Sequence, residues 1–353
     1  LASTVVTTLA LTGCGGGGVA LPGTTPTPEK VFVTAPLTGI KYEEGSAEAN
    51  GIVGPSVACK VDNSEAARPQ QNLNKTDIVF DEMVEGGLTR LVAVFHSQIL
   101  TLDADAKAIG VAPVRSIRPM DPDIIAPFGG IVCYSGGQLK FVRMMEDTPV
   151  FNATETNQQG EKTFKRVDDR SAPHNVVVNV AKLQQNHADL GAPQQMFQFS
   201  EDAATSTAST NGVDALSVTV KYPSATALWN QDGADGTWLR VQDGKKHNDA
   251  ATGERIRAVN VVVMRVKIDN TYGKVPKTVM IGEGKLWVFS NGKMVKGTWS
   301  KSGKTDRIIL KDASGNEIKL APGNTWVELM PAFGSITVKE PPKPSPEPSA
   351  SPS

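Results

Sequence analysis

The residues with the clearest chemical potential are arginines set beside glycines and short apolar runs. Glu85-Gly86-Gly87-Leu88-Thr89-Arg90 is followed by Ala112-Pro113-Val114-Arg115-Ser116-Ile117-Arg118-Pro119, and Ala67-Arg68-Pro69-Gln70 lies upstream. A guanidinium presents a planar fork that matches a phosphate or carboxylate, so two or three converging at strand ends would form an anion receptor. Gly86 and Gly87 would let the backbone approach a ligand closely. The competing structural reading is an arginine network tied to Asp62, Asp77, Asp81, Glu82 and Glu85. His174 and Asn175, in Ser171-Ala172-Pro173-His174-Asn175, join the ligand-binding candidates because a rigid proline fixes the turn before them.

Other chemistries have less support. No nucleophile elbow, His-Glu-x-x-His helix, phosphate-binding glycine loop or metal-spaced cysteine pair is present. Cys133 could meet His174 as nucleophile and base, but its apolar run offers nothing to activate a thiolate. Asn230-Gln231-Asp232-Gly233-Ala234-Asp235-Gly236 resembles half a calcium loop without the distal glutamate and reads as a turn. Trp229, Trp238, Trp287, Trp299 and Trp326 fall in strand-like runs and read as core rather than sugar platforms. No cofactor and no metal site are expected, and no catalytic residue is assigned.

The elements that must position the arginines follow from β-branched runs. Strands are expected at 57–61, 78–80, 89–95, 109–114, 131–135 and 176–180, with helical pieces at 121–125, 138–145 and 181–190. If 89–95 and 109–114 pair as an antiparallel hairpin around the polar loop 96–107, Arg90 lies beside Arg115. After a small, polar stretch at 200–214, strands recur at 216–221, 226–229, 237–241, 259–268, 285–290, 294–300, 307–311, 317–320 and 325–330. Asn291-Gly292 and Ser314-Gly315-Asn316 supply hairpin turns. The expected fold class is α+β: a mixed α/β amino-terminal domain at 34–199, a linker at 200–214, and a β-rich sandwich or open-barrel domain at 215–340.

The ends carry address information. Leu11-Thr12-Gly13-Cys14 closes an uncharged run and precedes four glycines, the pattern of a bacterial lipoprotein lipobox. Residues 1–13 then read as a truncated signal peptide, Cys14 as the lipidation site, 14–33 as a flexible tether and 341–353 as a Pro/Ser tail. Acyl chains on Cys14, palmitate among them, would hold the protein on the extracytoplasmic face of the cell membrane. With 36 basic and 37 acidic residues, nothing favours nucleic acid as a partner, and any anion site must be local. Cys59 and Cys133 are free to be buried thiols or a disulfide.

These residues, in order, resemble a known family. Val61-Asp62-Asn63, Ala67-Arg68-Pro69-Gln70, Asp77-Ile78-Val79, 85–90, 113–119, Ser135-Gly136-Gly137 and Ala172-Pro173-His174-Asn175 are similar to the YerB-like lipoproteins, a two-domain bacterial family of unknown function. The likeness continues through Gly236-Thr237-Trp238-Leu239-Arg240, Ala258-Val259-Asn260-Val261-Val262-Val263, Gly297-Thr298-Trp299 and Pro322-Gly323-Asn324-Thr325-Trp326. The resemblance implies an envelope lipoprotein whose two domains occur together, and it supplies no activity. Met120 stands where an aromatic is usual, and Tyr134 where histidine is. In layout 85–119 is also similar to the arginine-ended strand pairs of LytR-CpsA-Psr ligases, which grip a polyprenyl pyrophosphate; Asp62, Asp77 or Asp81 would stand for their magnesium-binding acids.

The expected function is a membrane-anchored envelope lipoprotein that binds a cell-wall glycan, a polyprenyl phosphate or a wall-synthesis protein through Arg68, Glu85, Arg90, Arg115, Arg118, His174 and Asn175. One alternative is an enzyme acting on a phosphorylated or glycan wall precursor, with Glu85 or Asp81 as acid, base or metal ligand. The other is a purely structural envelope protein.

Overall fold

The computed structural model describes residues 30–99 and 110–342 of the 353. The lipobox with Cys14, most of the tether and most of the Pro/Ser tail lie outside the described residues, as do 100–109 of the expected 89–114 hairpin.

Val57–Asp62, Ile78–Met83, Thr89–Phe95 and Ile131–Tyr134 are buried at every position, so these strands must be covered on both faces. They occupy one half of a twelve-stranded sheet. Its main path runs Val213–Asp214, Lys293–Lys301, Gly282–Ser290, Asn260–Asp269, Thr325–Pro331, Ile78–Met83, Thr89–Phe95, Val57–Asp62, Ile131–Tyr134, Phe151–Thr154. Thr325–Pro331 pairs in parallel with both Asn260–Asp269 and Ile78–Met83, so the early and late parts of the chain share one sheet.

Alternation along each strand assigns the two faces. Ala58, Phe80, Val92 and Val132 pack with Ile124, Phe128 and Phe141 from the helical side. Cys59, Val79, Leu91 and Ala93 pack on the other face with Val218, Trp229 and Trp238. These last belong to a second, six-stranded sheet containing Ser217–Lys221, Thr226–Gln231, Trp238–Gln242 and Ser335–Lys339. Trp229 meets Trp326, and Trp238 meets Phe289, edge-on across the two sheets at 5.2 and 5.5 Å. Four of the five tryptophans are buried core and Trp287 is half-buried.

Helices occur at Asp121–Ile125, Leu139–Glu146 and Val180–Asn186, close to the expected positions. The 200–214 stretch, expected as a linker, holds the helix Thr207–Asn211, whose Ser206 Oγ accepts the Ser209 amide, and a short strand on the edge of the large sheet. Asn291 and Gly292 take positive φ in the expected tight turn.

The 89–114 hairpin does not form. Thr89–Phe95 pairs with Val57–Asp62 and Ile78–Met83, while Gly110–Val111 pairs with Val176–Asn179. Val57–Asp62, six residues long and apolar along the face of Val57, Cys59 and Val61, takes the place between the two expected partners. Cys59 and Cys133, directly opposite in parallel neighbours, form a disulfide with Cα atoms 4.6 Å apart. This removes the Cys133 thiol from any pairing with His174.

Candidate functional site

Val57–Asp62, Ile131–Tyr134 and Phe151–Thr154 run parallel, and their carboxyl ends open toward one edge, where ligands collect in sheets of this kind. The last residue of the first strand is Asp62, whose register partner is Arg90. Segment 113–118 runs alongside: Pro113 O accepts the Asp62 amide, Val114 bridges Val61, and the Arg115 amide donates to Lys60 O. Arg115 thus reaches Asp62 from the side opposite Arg90, with the strand itself between the two expected hairpin partners. The Ser135 amide donates to Arg115 O and the Ile117 amide to Gly136 O, which joins the Ser135-Gly136-Gly137 turn to the same edge.

Asp62 is the hub. Its Oδ2 accepts Arg115 Nε at 2.9 Å and His174 Nε2 at 3.1 Å, and its Oδ1 accepts the Ser64 amide at 2.9 Å. Burial alone would raise this carboxyl, but the Ser64 amide and the charges of Arg90 and Arg115, with the neighbouring His174, hold it below its ordinary range. Arg118 grips Glu85 with both prongs at 2.9 Å. Glu85 is likewise held below the usual carboxylate range: its partial burial would raise it, but the Arg118 bond, a backbone amide and the charges of Arg118 and Arg90 together prevail.

Arg90 lies between these two pairs. It is 7 % exposed and donates Nη1 to Ser116 O at 3.1 Å, while its buried Nε has no hydrogen-bond partner among the described residues. Burial first, then the nearby Arg118 and Arg115, disfavour its charge. Three guanidinium groups therefore converge on this edge with Asp62 and Glu85, and Glu82, the register partner of Arg90, lies within reach of the same charge from the Lys60 cluster behind it. The outer nitrogens of Arg115, whose side chain keeps 23 % of its exposure, include one with no hydrogen bond among the described residues.

The remaining candidates go elsewhere. Arg68 pairs with Asp243 at 2.9 Å on the other face of the sheet. Asn175 accepts from Arg166 Nη1, and its carbonyl accepts the Val167 amide. Gly86 has open space around it, whereas a Cβ on Gly87 would sit 2.6 Å from Pro223, so the close approach at Gly87 is to the chain's own turn. Asp81, considered as an acid or base, is buried on the opposite face with Arg240 at 2.5 Å and cannot reach the arginine edge. Asp77 is held by the amide and hydroxyl of Ser97. The three acids compared with magnesium ligands are thus dispersed.

Two buried charge clusters escaped sequence reasoning. Lys60 joins Glu82 and Asp121, all fully buried, and Asp121 Oδ2 in turn accepts the Arg118 amide at 2.5 Å. This cluster props the turn that carries Arg118. Arg240 joins Asp81 and Glu328, with Tyr222 and Trp229 also donating to Glu328. The available signal was a charge inside an apolar strand run, at Lys60 and at Asp81-Glu82.

Comparisons with known proteins agree with this architecture. Residues 37–193 match the model described as the N-terminal domain of a protein of unknown function (DUF3048), and residues 218–327 match its C-terminal domain. A Bacillus subtilis (strain 168) protein named "Putative lipoprotein YerB" is 25% identical over 317 residues, covering 87% of this chain and 88% of its own. The crystal structure of YerB protein from Bacillus subtilis superposes with a TM-score of 0.72 at 23% identity, covering 86% of this chain and 99% of that one. Among the described residues no helix is long and apolar enough to cross a membrane. With both domain models in order along one shared sheet, the chain belongs to the YerB-like two-domain family.

Proposed function

We propose that the protein is an envelope lipoprotein, anchored through an acylated Cys14 on the extracytoplasmic face, that binds a phosphate-bearing cell-wall precursor at the carboxyl ends of its parallel strands. The observation that carries the reading is the convergence of three guanidinium groups, Arg90, Arg115 and Arg118, at one strand end, with the Arg90 Nε left without a hydrogen-bond partner among the described residues. An anion placed there would take donors that the protein leaves open, and Asp62 and Glu85 would keep the forks oriented before it arrives. His174, whose Nε2 lies 3.1 Å from Asp62, adds a further polar side chain at the same edge.

Binding rather than turnover is favoured because both acids near the site are tied to arginines, and neither is left as a general acid or base. Co-sedimentation with vesicles containing a polyprenyl phosphate tests the reading. The Arg115→Ala/Arg118→Ala chain is expected to lose the phosphate-dependent part of binding while its melting temperature shows an intact fold. Equal co-sedimentation of both chains would overturn the proposal.

A further inference from the structure

A cleft of about 750 Å³ lies on the face of the sheet opposite the arginines. Thr89 lines it, and because strand side chains alternate, Arg90 beside it faces the other way. One wall is the loop carrying Asn63 and Ser64, and the other is the turn of Pro223 and Ser224, whose amide donates to Gly87 O. A smaller cleft of about 360 Å³, lined by His247, continues from it and shares Glu65, Arg68 and Lys245. Both volumes fall in the range of small-ligand sites.

We propose that this double cleft binds a neutral, hydroxyl-rich ligand, an oligosaccharide segment. In the larger cleft the fixed charges are already matched, Arg68 with Asp243 at 2.9 Å and Lys245 with Glu65, while Lys246 lines only the smaller one. An anionic ligand would have to displace those carboxylates, whereas a neutral one would not. The remaining lining sets the hydroxyls of Ser224 and Thr226 beside the apolar surfaces of Leu88 and Pro223, over a floor of Asn63 and Thr89. A pyranose ring offers the matching pattern of hydroxyl rim and C–H face.

The floor is pre-set. Asn63 Nδ2 donates to Thr89 Oγ1 at 2.8 Å and to Gln242 Oε1 at 3.3 Å, which fixes both side chains beneath the ligand. The smaller cleft is backed by His247, which is held in place by Gln70. The Gln70 amide nitrogen donates to Asp62 O and Asn63 Oδ1, so its oxygen must accept from His247 Nε2, 2.6 Å away. His247 Nδ1 is then a bare acceptor, 2 % exposed as a residue and without a partner among the described residues.

The inference does not rest on the arginine site, and its test separates the two. A neutral β-1,4-linked N-acetylglucosamine tetramer is titrated into the full chain in micelles, with poly(glycerol phosphate) as the anionic comparator. Saturable tetramer binding is expected, weakened about ten-fold or more by Ser224→Trp, which fills the cleft from an exposed position, and several-fold by Thr226→Val, which removes one hydroxyl. Arg118→Ala should leave tetramer binding unchanged. Matched melting temperatures exclude misfolding of either variant. Absence of tetramer binding up to about 10 mM, binding indifferent to both variants, or blockage by Ser224→Trp of poly(glycerol phosphate) alone would each overturn the proposal.

Discussion

Asp62 decides whether the arginine edge is a receptor or a brace, because it occupies Arg115 and His174 together. Replacing it by Asn removes the competing negative charge and keeps one acceptor. If the edge is a receptor, Asp62→Asn should bind inorganic phosphate or an isoprenoid phosphate several-fold more tightly while losing about 1–3 kcal/mol of stability. Titration calorimetry with parallel melts reads both quantities. A second residue gives a pH signature. Burial pushes Asp77 from 3.8 up to about 7, against the bonds from Ser97 that favour its anion. A folded-state pKa raised above the unfolded value means stability that is full below about pH 4 and lost as pH rises through about 7, up to about 4 kcal/mol. Asn at 77 mimics the protonated acid, donating to the Ser97 hydroxyl and accepting its amide. Asp77→Asn should therefore remove this part of the decline between about pH 4 and 7 in a pH series of chemical denaturations, whereas an unchanged slope would assign the decline to other groups.

At the scale of elements, the disulfide links two parallel neighbours across 74 residues of chain. Loop-closure arithmetic gives about 4 kcal/mol for a loop of that length, so Cys59→Ala/Cys133→Ala should lower stability by about 2–4 kcal/mol with little change in architecture. Denaturation midpoints of the oxidised parent and the double variant check this. The buried Arg240 has a different role, since it neutralises Asp81 and Glu328 between the two sheets. Arg240→Met should cost about 3–5 kcal/mol, because it strands two acids without their cation. The strands around these groups were legible in the sequence wherever β-branched residues ran together, and so were Asn291-Gly292 and the three main helices. Their partners were not. Thr89–Phe95 is compatible with several neighbours, and its place between Val57–Asp62 and Ile78–Met83 follows from the packing of the whole sheet, which local β-branched runs do not specify. Of the candidate site, Arg90, Arg115, Arg118, Glu85 and His174 were legible as a group. Arg68 and Asn175 were not separable from them, because a strand's alternation and a loop's path decide which face each reaches.

At the scale of the molecule, one large sheet carries both family domains, and it presents the arginine edge on one face and the double cleft on the other. The Cys14 anchor would bring both near lipid-linked precursors. Cys14→Ala should release the protein from the membrane fraction without altering its melting temperature, since the acyl chains supply the attachment and the folded part does not depend on them. The central claim, that the arginine edge takes a phosphate, is tested most directly by titrating a short-chain, water-soluble isoprenoid phosphate into three chains and comparing affinities. The predicted order is Asp62→Asn tightest, the parent next, and Arg115→Ala/Arg118→Ala weakest, with binding falling as salt rises. Equal affinity in all three, or no binding by any, would contradict the claim and leave the three arginines as a brace between strand ends.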